Sequence, residues 1–166
     1  MKLQDLYVDP GHLIRRAYQI SVAIFLEECR SFDLRLVDCA VLYGIHAMPE
    51  TDQIGLSRAV AIDRSSIARV VDKLVERGLV ARRVSEHDRR VNRLSLTAEG
   101  CRIVDEIQPV IDEVNERILE PLNAQERQQF IHCLAKICEI NNEKSRAPLY
   151  AVDEATASAG RKRKAG

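Results

Sequence analysis

The chain contains no tryptophan, and its aromatic content is only 4%. Sandwiches and barrels draw their cores from aromatic and β-branched side chains, so this shortage favours a helical, aliphatic core. Net charge is missing as well, because 25 Lys and Arg balance 25 Asp and Glu. The molecule as a whole therefore carries no electrostatic pointer to nucleic acid. No apolar run approaches the ~20 residues that span a bilayer. The N-terminus shows no basic start followed by an apolar stretch, so a cytoplasmic protein with no membrane partner is expected. The five cysteines (Cys29, Cys39, Cys101, Cys133 and Cys138) are odd in number and lack CxxC spacing. That argues for a reducing compartment and against a disulfide framework or a zinc site. Each Cys reads as a small buried hydrophobe, with a redox-sensing thiol as the alternative. No nucleophile–base motif, HExxH or glycine-rich phosphate loop is legible. No catalytic residue, metal or cofactor is expected, and the chain does not read as an enzyme.

What is present is enough to build a core. The 166 residues are 46% hydrophobic and 30% charged, which fits one domain or one domain with an extension. The charges are segregated. From Arg64 to Arg93 there are nine Lys or Arg and four Asp or Glu, a balance of 9 − 4 = +5, so the remainder carries −5. A basic surface is thus concentrated in one stretch.

The centre of that stretch runs from Ile62 to Gly78. Apolar residues at 67, 70, 71, 74 and 75 have the i, i+3, i+4, i+7, i+8 spacing of one helix face. Asp63 is a suitable N-cap and Gly78 a suitable stop. Arg64 opens the helix, and its outer face carries Ser65, Ser66, Arg69 and Lys73, groups that suit a duplex groove. An ordinary solvated surface helix has the same pattern. Its neighbours decide between the two.

Ahead of it, Asp9-Pro10-Gly11 signals a helix entry. Residues 12–30 form a helix apolar on more than one stripe, which implies burial on several sides or a second subunit. A second helix spans about 35–47 and ends at Met48-Pro49. Residues 52–55 read as an isolated strand residue or two, and 56–61 as a short helix. The link at Ile62-Asp63 is tight, as in a helix-turn-helix. After Gly78 the period changes, and 79–84 and 91–96 read as two strands. The polar loop between them contains His87, Asp88, Arg89 and Arg90. A hairpin in this place is a wing, and its arginine tip suits a minor groove or phosphates. Thr97 caps a long helix containing Pro109, where a kink is expected. Asn123 and Glu126 resemble a capping box before a last helix, about 124–142. From about Glu143 apolar periodicity stops. The end, with Arg161-Lys162-Arg163-Lys164, reads as a disordered basic tail, either merely solvated or attracted to phosphates.

This order of elements, with Asp88-Arg89-Arg90 and then Leu94-Ser95-Leu96-Thr97-Ala98-Glu99-Gly100, closely resembles the MarR family of bacterial transcription regulators. Asp63-Arg64-Ser65-Ser66 and Leu74-Val75-Glu76-Arg77-Gly78-Leu79-Val80 fit the same family, and the likeness covers about 12–142. It implies a mainly α fold with a small β wing: a winged helix-turn-helix domain inserted in a helical dimerisation region. The divisions expected are 1–50 for the N-terminal dimerisation helices and start of the lobe, 51–100 for the DNA-binding domain, 101–142 for the C-terminal dimerisation helices, and 143–166 for the tail. The resemblance also implies a homodimer on a palindromic double-stranded DNA operator, with recognition helices in major grooves ~34 Å apart.

Within the family, Leu13-Ile14-Arg15-Arg16-Ala17-Tyr18-Gln19 and Ala23-Ile24-Phe25-Leu26-Glu27-Glu28 resemble regulators of aromatic-acid degradation genes. The implied function is a repressor released by a small-molecule effector, an aromatic acid or its coenzyme A thioester of the hydroxycinnamoyl type. Family effectors sit between the dimer region and the winged lobe, which points to Arg15, Arg16, Tyr18, Gln19, Tyr43 and His46. Two alternatives keep the fold: cysteine oxidation as the signal, or a winged-helix module that binds protein.

Overall fold

The computed structural model describes residues 2–85 and 91–150. A short helix α1 (Leu3–Leu6) precedes α2 (Pro10–Glu28), α3 (Leu36–Ala47), α4 (Gln53–Ala59) and α5 (Arg64–Glu76). Strands β1 (Val80–Val84) and β2 (Asn92–Leu96) follow, then α6 (Ala98–Leu119) and α7 (Ala124–Ile140). The fold is mainly helical with a two-stranded wing, as expected from the sequence.

Side-chain caps set most helix starts. Asp9 accepts from the His12 N–H at 2.8 Å, and Asp52 from that of Gly55 at 2.7 Å. Thr97 Oγ1 accepts from the Gly100 N–H at 3.0 Å and donates to the Gly78 carbonyl at 2.7 Å, so one hydroxyl joins the end of α5 to the start of α6. Asn123 and Glu126 form the reciprocal capping box of α7. Helix α6 is uninterrupted from Ala98 to Leu119, with Pro109 inside it.

The sequence reading of 52–55 needs correction. Only Thr51 makes an isolated bridge, to Leu94, while Asp52 caps a helix that already begins at Gln53. The Asp52 carboxylate satisfies a backbone N–H that a strand would have given to a neighbour. The Leu94 N–H donates to the Thr51 carbonyl at 2.8 Å, and the Glu50 N–H to Leu94 at 2.9 Å. These two bonds stitch the wing to the end of α3. The β1–β2 pair is antiparallel, running from Val80 opposite Leu96 to Val84 opposite Asn92.

One core joins these parts. Phe25 of α2 and Cys29, just past its end, meet Cys39, Val41, Leu42 and Ile45 of α3, Leu56 of α4, and Val104, Ile107 and Val114 of α6. Helix α5 contributes Ile67, Val70, Val71 and Leu74, all at most 4% exposed. At ~1.5–3 kcal/mol per buried aliphatic side chain, its apolar stripe contributes on the order of 6–12 kcal/mol before entropy is subtracted. Gly44 permits the close approach of α4 to α3. A Cβ there would lie 2.7 Å from both Leu56 Cδ1 and Val60 Cγ1.

Two helices leave apolar surface uncovered. Helix α2 exposes Leu13, Ile14, Tyr18, Ile20 and Leu26, and α7 exposes Phe130, Ile131, Leu134, Ile137 and Ile140. No residue of α7 is buried within the single chain. Residues 143–150 also differ from expectation. They are folded back by hydrogen bonds described below, and the remaining tail, 151–166, lies outside the described residues.

Candidate nucleic-acid interface

Asp63 caps helix α5. Its Oδ1 accepts from the Ser66 N–H at 3.1 Å and from the Ser65 hydroxyl at 2.6 Å. Those bonds from Ser65 and Ser66 hold the Asp63 carboxyl well below the usual carboxylate range, with Arg146 adding a smaller electrostatic pull. Ser65 is exposed and Ser66 half-buried, so Ser65 presents its oxygen outward while Ser66 supports the cap.

The C-terminal half of α5 is braced at three points. Lys73 Nζ lies 3.0 Å from Asp38 Oδ2 on α3. Arg77 donates to the carbonyls of Phe32 at 3.0 Å and Asp33 at 2.6 Å, at a left-handed bend where Asp33 has φ 48°. Asp72 accepts from Arg82 of β1 at 2.5 Å, which ties the helix to the wing.

Asp38 is the deepest of these groups. Its side chain is 0% exposed, and it accepts from Arg35 through the backbone N–H at 2.9 Å, Nε at 3.1 Å and a guanidinium terminus at 2.7 Å. Burial pushes the carboxyl up, but the hydrogen bonds from Arg35 and Lys73 outweigh it, and Asp38 ends below its ordinary value. The carboxylate is thus ionised inside the core and shared by two helices.

Of the five α5 residues expected to meet DNA, the structure leaves Arg64, Ser65 and Arg69 exposed. Among the described residues neither Arg64 nor Arg69 has a hydrogen-bond or ion-pair partner. Lys73 differs: it is half-buried and its ammonium is committed to Asp38. The helix therefore has a free N-terminal half and an anchored C-terminal half. In a helix-turn-helix the N-terminal residues of the recognition helix are the ones that reach base edges. On the wing, Arg83 is exposed, and Arg93 reaches back to the Glu50 carbonyl at 3.3 Å and to Asp52 at 3.7 Å. His87, Asp88, Arg89 and Arg90 lie outside the described residues.

The bracing residues Asp38, Asp72, Arg77 and Arg82 escaped the sequence reading. One signal was available, since Asp38 is a lone acid in the apolar run Leu36–Ala47.

The six effector candidates fall in two groups. Arg15, Arg16, Tyr18 and Gln19 are exposed on the first half of α2, where Arg15 donates to Gln19 Oε1 at 3.0 Å. His46 is exposed on α3, and Tyr43 is half-buried there. Among the described residues no hydrogen bond or ion pair joins the α2 group to Tyr43 or His46. Among the described residues the buried Tyr43 hydroxyl has no partner. Burial, helped by Cys39, Asp112 and Cys29, pushes its pKa up to about 12, so it is a neutral donor. Burial likewise pushes Cys39 up to about 12 and raises Cys29. Both shifts disfavour the thiolate that oxidation requires. Cys101, Cys133 and Cys138 are exposed.

A family model of the MarR family matches residues 32–91, a span that holds α3, α4, α5 and β1 and stops just before β2. The PcaV transcriptional regulator from Streptomyces coelicolor, solved with its natural ligand, is 32% identical over 84% of this chain and 98% of that one, with a TM-score of 0.75. The chain belongs to the MarR family. Bordetella bronchiseptica BpsR, a protein whose DNA binding is regulated by 6-hydroxynicotinic acid, is 31% identical over 76% of this chain and 96% of that one, with a TM-score of 0.72. The transcriptional repressor CouR, solved on a 23-mer DNA duplex, is 26% identical over 83% of this chain and 98% of that one, with a TM-score of 0.77. The MarR family is dimeric, and α2 and α7 leave apolar faces uncovered within the single chain. Among the described residues no helix is long and apolar enough to cross a membrane.

Proposed function

We propose that this MarR-family protein is a dimeric transcriptional repressor that binds a palindromic DNA operator and leaves it when a small aromatic effector binds. The observation that carries the DNA reading is the division of α5. Its C-terminal half is pinned by Lys73, Arg77 and Asp72, while Arg64 and Arg69 are exposed and, among the described residues, unpaired, with Ser65 exposed beside them. A rigid helix that presents two unpaired guanidinium groups and a hydroxyl is equipped for a major groove, where Arg pairs with guanine in bidentate fashion. Arg69 is the candidate base contact. Arg64, Ser66 and the wing residues His87, Asp88, Arg89 and Arg90 are candidates for the flanking backbone and minor groove.

For the effector we propose an aromatic acid or its coenzyme A thioester, as with the control of BpsR by an aromatic acid. The supporting observation is the Tyr43 hydroxyl, a buried neutral donor without an acceptor. An unsatisfied buried hydroxyl costs about 1–3 kcal/mol, and a ligand oxygen relieves that cost on binding. His46 lies one turn further along α3. Arg15, Arg16, Tyr18 and Gln19 serve as candidates for the polar or phosphate-bearing end of the ligand. Release follows from population shift, because an effector that prefers lobes wrongly spaced for adjacent grooves opposes DNA through geometry. The regulated genes would then be those of aromatic-compound degradation.

The test is fluorescence anisotropy of a labelled operator duplex, titrated with aromatic acids and their coenzyme A thioesters. Release at micromolar effector supports the reading. Release by mild peroxide and by none of the aromatic compounds would instead favour oxidation of Cys101, Cys133 or Cys138. No salt-sensitive binding to any duplex would leave the protein-binding module as the better account.

A further inference from the structure

The elbow of the helix-turn-helix carries an exposed arginine, Arg58, in the last turn of α4. Its neighbour Ser57 is locked to Ile62 in both directions: the Ser57 hydroxyl donates to the Ile62 carbonyl at 2.6 Å, and the Ile62 N–H donates to the Ser57 carbonyl at 3.2 Å. Ala61, with φ 51°, makes the bend between them. Arg58 follows Ser57 directly, and Asp63, the cap of α5, follows Ile62. The clasp therefore fixes the Arg58 backbone beside the entry to the recognition helix. In helix-turn-helix motifs the first helix crosses the DNA backbone. Among the described residues the Arg58 guanidinium makes no hydrogen bond and no ion pair.

An exposed arginine samples many rotamers, but a second element limits this one. Beyond α7 the chain turns back through a 3-10 turn at Asn142–Lys144. The Asn142 side chain then pairs with the Leu149 backbone: its Nδ2 donates to the Leu149 carbonyl at 2.9 Å, and its Oδ1 accepts from the Leu149 N–H at 2.8 Å. This closes residues 142–149 into a loop. The next residue docks on α4, because the Tyr150 N–H donates to the Arg58 carbonyl at 3.1 Å. The Tyr150 ring meets the same residue, its centre 5.8 Å from the central carbon of the Arg58 guanidinium, within cation–π range. The Tyr150 hydroxyl donates to Glu143 at 3.4 Å, within the loop. Stacking occupies the flat face of a guanidinium and leaves the N–H groups at its edge available. The ring thus restricts Arg58 without spending its donors.

We propose that Arg58 contacts an operator phosphate and that Tyr150 is its positioning residue, so that the chain beyond α7 takes part in DNA binding through a stacked arginine. This rests on the DNA-binding reading above. The planar fork of a guanidinium matches two phosphate oxygens at once. A fork aligned in advance loses less side-chain freedom when the phosphate arrives. The contact adds affinity and salt dependence, not base preference.

Operator binding by the full-length chain across a salt series tests both roles. Arg58→Gln weakens binding and lowers the magnitude of the log–log salt slope by about 2 for the dimer, since each of the two lost phosphate contacts removes ~0.9. It weakens binding to duplexes with single base changes by the same factor. Tyr150→Leu weakens operator binding several-fold, whereas Tyr150→Phe keeps the ring and binds as wild type does. In an Arg58→Gln background Tyr150→Leu has no further effect, because its influence runs through Arg58. Both positions are exposed, and thermal melts confirm that the variants fold. Arg58→Gln with the wild-type slope overturns the phosphate contact. Tyr150→Leu that binds as well as wild type, or more tightly, overturns the positioning role; tighter binding means that the ring withholds Arg58 from DNA. The positioning role also falls if Tyr150→Phe is as weak as Tyr150→Leu, or if Tyr150→Leu weakens the Arg58→Gln protein further. A wild-type chain that fails to bind duplex DNA overturns the underlying reading instead, a result separate from every comparison between variants.

Discussion

Lys73 was expected in the groove, yet the structure gives its ammonium to Asp38, and the two roles predict opposite effects of one substitution. If Lys73 contacts DNA, Asp38→Ala frees it and strengthens operator binding. If Lys73 is a brace, Asp38→Ala and Lys73→Met both loosen α5 and weaken binding. The structure predicts the second outcome. Removing Lys73 deletes one of the four donors around Asp38 and leaves the three from Arg35. A hydrogen bond to a charged group is worth ~1.5–3 kcal/mol. The Lys73 side chain is 37% exposed, so solvent screening reduces the expected cost of Lys73→Met to about 1 kcal/mol. Asp38→Ala removes every bond, empties a buried site and deletes the acceptor for the Arg35 backbone N–H. The two orphaned cations reach solvent, so the cost is about 3–4 kcal/mol, within the range for breaking a buried pair from one side.

Urea unfolding at fixed protomer concentration measures both values, and the double variant closes the cycle. A coupling of about 1 kcal/mol between positions 38 and 73 is expected. Additivity within ~0.3–0.5 kcal/mol would refute the brace. The pH dependence has a definite sign. The carboxyl of Asp38 titrates lower folded than unfolded, so its contribution is complete above the unfolded value of ~3.9. It is lost as pH falls through the folded value. The coupling should therefore be flat from neutrality to about pH 5 and vanish in acid.

Four further outcomes are expected. Gly100→Ala should cost several kcal/mol or block folding in thermal melts, because a Cβ there runs into the Leu79 backbone carbonyl, which cannot move as a side chain can. Arg69→Ala should relax operator preference by ~1–3 kcal/mol at one base position, read by competition among duplex variants, and an unchanged preference excludes it as a base contact. Tyr43→Phe should leave stability equal or up to about 1 kcal/mol higher, since the lost hydroxyl had no partner, while effector titration shows a weakened response. Ile137→Glu should shift the protein toward monomer in sedimentation, because Ile137 is 50% exposed on α7 in the single chain and belongs to the apolar face left for a second copy.

The local parts of this fold were legible because they depend on neighbours in sequence. The stripe 67, 70, 71, 74 marks α5 by its own period, and Asp63, Thr97 and Asn123 cap helices through bonds to residues two or three positions away. The turn at 52–55 was misread for a related reason. Leu94 does pair with the main chain there, but at Thr51, and the carboxylate of Asp52 diverts the following residues into α4. Which outward-facing cation is free was not legible at all. Arg69 and Lys73 stand one turn apart on the same helix, and a helical projection treats them alike. What separates them is Asp38, 35 positions earlier, on a helix whose packing angle no period reveals. The segment after α7 poses the same difficulty. Residues 143–150 have no apolar period, so they read as a tail, yet one Asn side chain pairs with a backbone seven residues on and one N–H reaches Arg58. Backbone pairing by a polar side chain needs no hydrophobic pattern. An apolar-period criterion therefore misses this kind of order.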